Sequence, residues 1–493
     1  LVDYRPEGWL LEDELFAFLD AGEALFEAKF TALDGAGRPN RTHAAIPNRP
    51  RTPLTQFFSR TSGPDASACS SCHNDPITGG AGDNVTNVFT ASGFANAVFD
   101  TTDPEFSNER GTNHLFGSGL LELLAREMTA ELQHQRRDAL LTAREQGAPV
   151  TAALTAKGVS FGTLVAFPDA TIDPSSIEGV DFDLIIKPFT HKGVVRSLRH
   201  FTLSAANHHS GMQATERFGP RWTGTADFDG DGYEAELSQG EVSALVAWQA
   251  TLPPPSRRTD LTPQWTEAAQ RGEGLFADFG CSACHLGALP LQSLDFHDPG
   301  PLDGAGTLNA RDVARTAIYD LTHMEWAATL PRDDQGRVLV PLFGDLKRHR
   351  MTDAEVNQLG NERVVQGFVD TNVFMTTELW GVGNTAPYGH RNDITTLDEI
   401  IRAHGGDSRG ARDLYVGASA DQQSSIIAFL KTLVIKDKRK PSEDAADSSN
   451  YPPIGLPTWP GFSLVGSAGA QRASSRSAAG HSHAHRSGRK RRA

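Results

Sequence analysis

Apolar residues recur at intervals of three and four through "EDELFAFLDAGEALFEAKFTAL", near the start of the chain. That spacing predicts an amphipathic helix. The same period runs through "GLLELLAREMTAELQHQRRDALLTAREQ", long enough for a helix of many turns. It returns in "SQGEVSALVAWQATL", Ser238 to Leu252, where three prolines, Pro253 to Pro255, stop it. Ser238 and Glu241 stand three apart at its start, the pattern of a capping box. Two further stretches follow, "TEAAQRGEGLFADFG" (Thr266 to Gly280) and "SADQQSSIIAFLKTLVI" (Ser419 to Ile435).

These stretches fall into two similar halves. The first helix of each half contains "G-E-x-L-F", which hints at an internal duplication. Each half also ends in an apolar helix. The proline-rich "PPPSRRTDLTP" separates them and reads as the domain boundary. The expected organisation is an N-terminal domain over residues 1–252 and a C-terminal domain over 262–436. A low-complexity tail over 437–493 is compositionally suited to disorder. With 47 glycines and 28 prolines, the long insertions in each half are expected to be irregular. The expected fold is therefore mostly α, with two domains enlarged by long loops.

Charge narrows the partners. A formal charge of −15 argues against nucleic acid. No run approaches the roughly 18 apolar residues of a membrane span. The opening residues lack the basic and apolar regions of a signal peptide.

The four cysteines carry the chemistry. Cys69, Cys72 and His73 form C-x-x-C-H in "ACSSCHND"; Cys281, Cys284 and His285 repeat it in "GCSACHLG". Two C-x-x-C-H motifs with no cysteine to spare are the signature of covalent haem attachment. Each thiol bonds a vinyl group and the histidine becomes an iron ligand. A zinc ribbon needs its knuckles roughly 15–20 residues apart, far closer than these two. A thioredoxin-type pair needs neither the histidine nor a second copy, and a disulfide across so short a loop is strained. Two covalent haem c groups are therefore expected. Attachment of such haem outside the cytoplasm places the protein in the periplasm or secreted, with a signal peptide already removed.

With those motifs in view, "PLFGDLKRHRMTD", "ELWGVGNTAPYGHRNDITTLDEIIRAHGG" and "IIAFLKTL" resemble the di-haem oxidoreductase family of putative peroxidases. That family is related to bacterial di-haem cytochrome c peroxidases, MauG-type enzymes and di-haem rubber oxygenases. "NHLFGSGLLE", "HKGVVRSLRHFTLSAANHHSGM" and "DFDGDGYEAELS" extend the resemblance into the first half. It implies two cytochrome c-like domains, with chemistry at the N-domain haem and electrons entering at the C-domain haem. It also implies that His404, in "IIRAHGG", is the second ligand of the C-domain iron, where peroxidases carry methionine and MauG-type enzymes tyrosine. His390 is expected to line the pocket or to bond a propionate. A bis-histidine iron sits at lower potential than a His/Met one.

Peroxide reduction requires a distal acid to move a proton between the two oxygens. Glu122, flanked by four leucines, is the expected residue, since burial would raise its pKa. His114, His200, His208 and His209 compete for the distal side, and Arg196, Arg199 and Lys192 are expected to pair with propionates. "DFDGDGYEAE" places Asp227, Asp229 and Asp231 at positions 1, 3 and 5 of a calcium loop, with the Tyr233 carbonyl at position 7. Position 12 is Ser238, so the loop is not a complete EF-hand. The expected reaction is reduction of hydrogen peroxide with electrons from a small redox protein or a quinol-linked donor. An oxygenase that cleaves a carbon–carbon double bond, and a non-enzymatic electron carrier, remain alternatives.

Overall fold

The computed structural model describes residues 12–36, 67–89 and 107–436. The tail expected over 437–493 lies outside the described residues. Ten α-helices occur among them in chain order: α1 (Glu12–Glu27), α2 (Ser118–Gln146), α3 (Leu198–Ala205), α4 (Thr215–Phe218), α5 (Pro220–Thr223), α6 (Gln239–Thr251), α7 (Pro263–Asp278), α8 (Leu397–Arg402), α9 (Arg409–Gly417) and α10 (Ala420–Leu430).

Two helix pairs frame the molecule. In the first half α1 crosses α6, and in the second α7 crosses α10. The "G-E-x-L-F" repeat explains both crossings. A Cβ on Gly22 would overlap the Ala244 carbonyl oxygen of α6, and one on Gly272 would overlap that of Ser425 on α10. Only glycine lets the backbones approach so closely. The phenylalanine of each repeat then fills the space beside the crossing. Phe26 packs 4.5 Å from the Trp248 ring, and Phe276 lies edge-on to Phe429 at 5.4 Å.

The closing helices start as their sequences predict. Ser238 and Glu241 form a reciprocal capping box on α6, with the Ser238 N–H donating to the Glu241 carboxylate at 2.7 Å. Ser419 and Gln422 repeat the device on α10. Trp265 Nε1 donates to the Ala428 carbonyl at 3.1 Å and pins α7 to α10.

The insertions are less irregular than expected. Among the described residues 38% are helical and 17% are in strands, so "mostly α" describes the fold only in part. The strands form small antiparallel pairs. Gly82–Phe89 pairs with Ser107–Thr112, and Val150–Ala156 with Val159–Ala166. Asp295–Asp298 pairs with Ala317–Asp320, and Arg348–Arg350 with Val373–Met375. The 29-residue α2 buries Leu120, Leu124, Met128 and Leu132 against this layer. Lys157 bonds Glu127 of α2 at 2.5 Å and the Pro290 carbonyl at 2.6 Å, tying both halves together.

A buried charge network forms a second tie. Arg199 donates to Glu216 at 2.8 Å and 2.9 Å, and to both oxygens of Asp298 at 2.9 Å. Ser243 and Tyr319 complete it. Such a network is stable only when every member is satisfied.

The helix crossings give a direct test. Gly272→Ala should cost about 2–4 kcal/mol of stability through overlap with α10. Gly274→Ala, on the same helix with open space around it, should gain about 0.5–1 kcal/mol from helix propensity. Denaturant melts of both variants would disprove this packing if the two changed stability alike.

Candidate functional site

Each C-x-x-C-H motif forms one tight turn. The N–H groups of Cys72 and His73 both donate to the Cys69 carbonyl, at 3.2 Å and 3.1 Å. Those of Cys284 and His285 donate to Cys281, at 3.4 Å and 3.0 Å. Gly82 passes against the Cys72 carbonyl, where any side chain would collide.

The two histidines are held alike. His73 Nδ1 lies 3.3 Å from the Gly80 carbonyl, and His285 Nδ1 lies 3.0 Å from that of Phe343. Their rings sit 6.0 Å from Phe26 and 6.2 Å from Phe276. Burial pulls both imidazoles down to about 4, against the opposing pull of these carbonyls. Each ring is therefore neutral near pH 7. With Nδ1–H donated to a carbonyl, Nε2 keeps the lone pair that an iron ligand requires.

The sulfurs fit the same chemistry. Burial pushes the Cys69 thiol up to about 12 and the Cys281 thiol up to about 11. Burial is the largest cause of the rise, and it keeps the thiols in their neutral form. A neutral sulfur in an apolar turn is what a thioether to a vinyl group leaves behind. These residues accordingly fit covalent haem, and His349 with Asp345 beside Cys284 belongs to the surroundings of the second motif.

Further histidines approach each motif. His404 follows α8 and is half-buried, with Nδ1 bonded to the Ile400 carbonyl at 2.7 Å. It lies near enough to His285 that a charge on it would disfavour charge on His285. His114 and His209 stand in the same relation to His73. His209 occupies a π-helical turn, Ala206–Ser210, that extends α3. Such turns recur at functional sites. His208 stacks on His209 at 5.8 Å, while burial and the nearby Arg217 and Arg196 pull His200 down to about 3.

A short backbone segment joins the two motifs. His114 Nε2 lies 3.0 Å from the Trp380 carbonyl, which fixes it as the donor nitrogen. His114 Nδ1 is buried and has no hydrogen-bond partner among the described residues. The preceding Leu379 N–H points at the Leu342 and Phe343 carbonyls, at 3.1 Å and 3.4 Å. Phe343 is also the acceptor for His285. Residues 379–380 thus link the histidine neighbouring one motif to the histidine within the other. The Trp380 ring is buried against Gly117. The family resemblance includes this segment, but nothing local could reveal its partner, because 266 positions separate His114 from Trp380.

Glu122 is buried, as expected from its leucine flanks. It pairs with Arg126 at 2.6 Å and accepts the Leu198 N–H at 2.7 Å, at the start of α3. Burial raises its pKa, Arg126 and Leu198 oppose that, and Asp298 adds to it. Asp303 lies alongside, bonded to Ser197 at 2.5 Å and pushed up to about 7 by burial and by Glu122. The arginine expectations need correction. Arg199 is spent on Glu216 and Asp298, and Lys192 on three backbone carbonyls and Glu362, so neither is available to a propionate. His390 is buried and stacks on Phe374 at 4.6 Å.

The acidic loop gathers Asp227, Asp229 and Asp231 with ligand atoms within 4.8 Å of one another. Gly232 adopts φ +94° at the sharp turn. Asp227 accepts the N–H groups of Gly230 and Gly232, and Tyr233 N–H donates to Asp231. Ser238 caps α6, and Glu236 accepts from Gln213, so the carboxylate closing a full EF-hand is not supplied there.

These features fit a c-type haem protein, and the chain is similar in part to cytochrome-c peroxidases. A cytochrome-c peroxidase of Pseudomonas sp. (strain SCT) is 26% identical over 185 residues, 36% of this chain and 43% of that protein. One from Denitromonas iodatirespirans is 30% identical over 155 residues, 31% of this chain and 36% of that protein. The chain therefore spans less than half the length of these curated relatives. No family model matches the chain. Among solved structures, Kuenenia stuttgartiensis hydrazine synthase aligns over 85% of this chain and 87% of its own at 13% identity, TM-score 0.37. A MauG-like protein associated with microbial copper homeostasis aligns over 64% of this chain and 88% of its own at 18% identity, TM-score 0.27. No described helix is long and apolar enough to cross a membrane.

The acid pair predicts a pH dependence. The folded state holds the Asp303 proton more tightly than the unfolded chain, whose pKa is near 3.8. Stability should therefore fall as pH rises from 3.8 to about 7 and level off above. Asp303→Asn should flatten that decline in melting temperature; an undiminished slope in the variant would refute the assignment.

Proposed function

We propose that the chain is a periplasmic di-haem c-type oxidoreductase. It reduces hydrogen peroxide at the haem of Cys69, Cys72 and His73, with electrons delivered through the haem of Cys281, Cys284 and His285. The observation that carries this reading is the unequal surroundings of two otherwise equal motifs. His285 neighbours His404, whose tied Nδ1 leaves Nε2 as the available ligand atom, which suits a six-coordinate electron carrier. His73 neighbours both His114 and His209, on elements from the insertions, which suits a site whose distal side handles a small oxidant. The named relatives support the peroxidase class.

When bound, the haem irons supply the electrons and the position at which the peroxide O–O bond is reduced. One peroxide takes two electrons and two protons to give two waters. The chain's own part is to orient and to manage protons. Gly80 and Phe343 fix the proximal rings. Burial raises the pKa of Glu122, and the half-buried Asp303 is pushed up to about 7, where it can hold a proton near neutrality. Glu122 is the proposed proton donor, released from Arg126 as it protonates. A small redox protein or a quinol-linked donor supplies the electrons. An oxygenase of the rubber-oxygenase kind would need an apolar distal side without such an acid. Calcium at Asp227, Asp229, Asp231 and the Tyr233 carbonyl would brace the loop leading into α6.

Stepwise reduction with optical and EPR spectroscopy tests the division of labour. The half-reduced protein should consume peroxide and show high-spin iron at one haem. Peroxide left untouched with all iron low-spin would end the peroxidase reading in favour of an electron carrier. Glu122→Gln should lower turnover about a hundredfold with haem spectra unchanged. His404→Ala should convert the second haem from low to high spin; a retained low-spin signal would remove His404 from the iron.

The calcium arm has its own measurement. Micromolar Ca²⁺ added to chelator-stripped protein should raise stability by about 2–3 kcal/mol once the ion exceeds its Kd about a hundredfold. Asp229→Asn should abolish that rise, and a stripped protein indifferent to Ca²⁺ would eliminate the site.

A further inference from the structure

A cavity of about 130 Å³ lies at the seam between the two halves, away from both motifs in sequence. Its walls come from the strand Ser107–Thr112, from Asn361, Glu362 and Arg363, and from Arg391. Arg110 is 6% exposed, with Nη1 paired to Glu362 at 2.5 Å and Nη2 bonded to Gln366 at 3.1 Å. Its Nε–H is buried and has no hydrogen-bond partner among the described residues. Arg391 repeats this. It pairs with Glu109 and reaches the Asn361 carbonyl, and its buried Nε–H has no partner there either.

The local charge balance is positive. Arg110, Arg363 and Arg391 line the cavity with Glu109 and Glu362, and Lys192 lies behind, 2.8 Å from Glu362. Three arginines thus line the cavity against two carboxylates, with Lys192 and Asp393 just beyond the walls, in a chain whose overall charge is −15. Two buried guanidinium donors without partners, with excess positive charge around them, suit an oxyanion. A third atom narrows the class. Asn361 Nδ2 donates to Asp393 at 3.0 Å, which fixes the amide orientation and leaves the buried Oδ1 as an acceptor without a partner. The ligand must accept from two arginines and donate to Asn361.

We propose that this cavity binds a small oxyanion that carries a hydroxyl, of the hydrogenphosphate or bicarbonate type. The site joins the strand Ser107–Thr112, which leads toward His114, to the segment of His390 and Arg391, so its occupant clamps the two halves together. A haem propionate offers the same acceptor oxygens but no donor for Asn361.

Calorimetric titration of the haem-loaded protein with inorganic phosphate, in chloride buffer near neutral pH, tests this. One saturable site is expected, with nitrate, which has no hydroxyl, binding about tenfold more weakly or worse. Arg391→Gln should weaken phosphate about tenfold, and Asn361→Asp should weaken it through charge repulsion. Absence of saturable uptake, or equal affinity in both variants, overturns the proposal. If phosphate does not bind while Arg391→Gln shifts a haem midpoint potential, the oxyanion held there is a propionate and the free-ligand site is disproved.

Discussion

Everything at the two motifs depends on one hydrogen bond in each, from a half-buried imidazole Nδ1–H to a backbone carbonyl. Gly80 provides the acceptor for His73 and Phe343 for His285. A ring in that state is neutral, fixed in tautomer and unable to turn, so Nε2 has a single direction in which to ligate. The helix crossings exist to make the burial possible. Gly22 and Gly272 let the helices close, and Phe26 and Phe276 then fill the space beside the rings. Loosening either crossing would rehydrate the ring and restore its ability to protonate, at which point it would no longer be a ligand.

The acceptor of His285 also belongs to a second set of contacts. The Phe343 carbonyl lies near the Leu379 N–H, and the next residue, Trp380, accepts from His114. A shift of the His285 ring and a shift of the His114 ring therefore act on the same two-residue segment. Its surroundings are dry, since Trp380 is 2% exposed. In that setting a change of charge at one motif is felt at the other with little screening. The segment provides a physical basis for coupling two centres that lie far apart in the chain.

Much of the frame was legible in the sequence, and the reasons are local. The Ser238–Glu241 box, the stop at Pro253 and the shared "G-E-x-L-F" are contained within single helices. The burial of Glu122 followed from its leucine neighbours. What stayed hidden was the pairing of charges across long separations. Arg199 looked available for a propionate, yet Glu216 and Asp298 occupy it from 17 and 99 positions away. The partners of Glu122 were equally obscure. Arg126 is one helical turn along, as the pattern allows, but the Leu198 N–H is 76 positions distant. The strand pairs within the insertions are short and bounded by loops, so their alternation never rises above the glycine- and proline-rich background.

Two nearly identical binding turns nonetheless end in different chemical settings, and the insertions explain why. In the second half the extra chain closes over His285 with α8 and delivers one histidine, His404, whose ring is already tied to its own helix. In the first half it brings α2 and α3, and with them His114, the π-helical turn of His209, and Glu122, beside which the second half sets Asp303. A π-helical turn is less stable than the α-helix it interrupts, so retaining one beside His73 implies that the position of the histidines there outweighs local helical stability. The same frame occurs twice, and the two motifs differ in the histidines that the rest of the chain sets beside them. That difference, and not the motifs themselves, is the physical ground on which catalysis is proposed at one site and electron supply at the other.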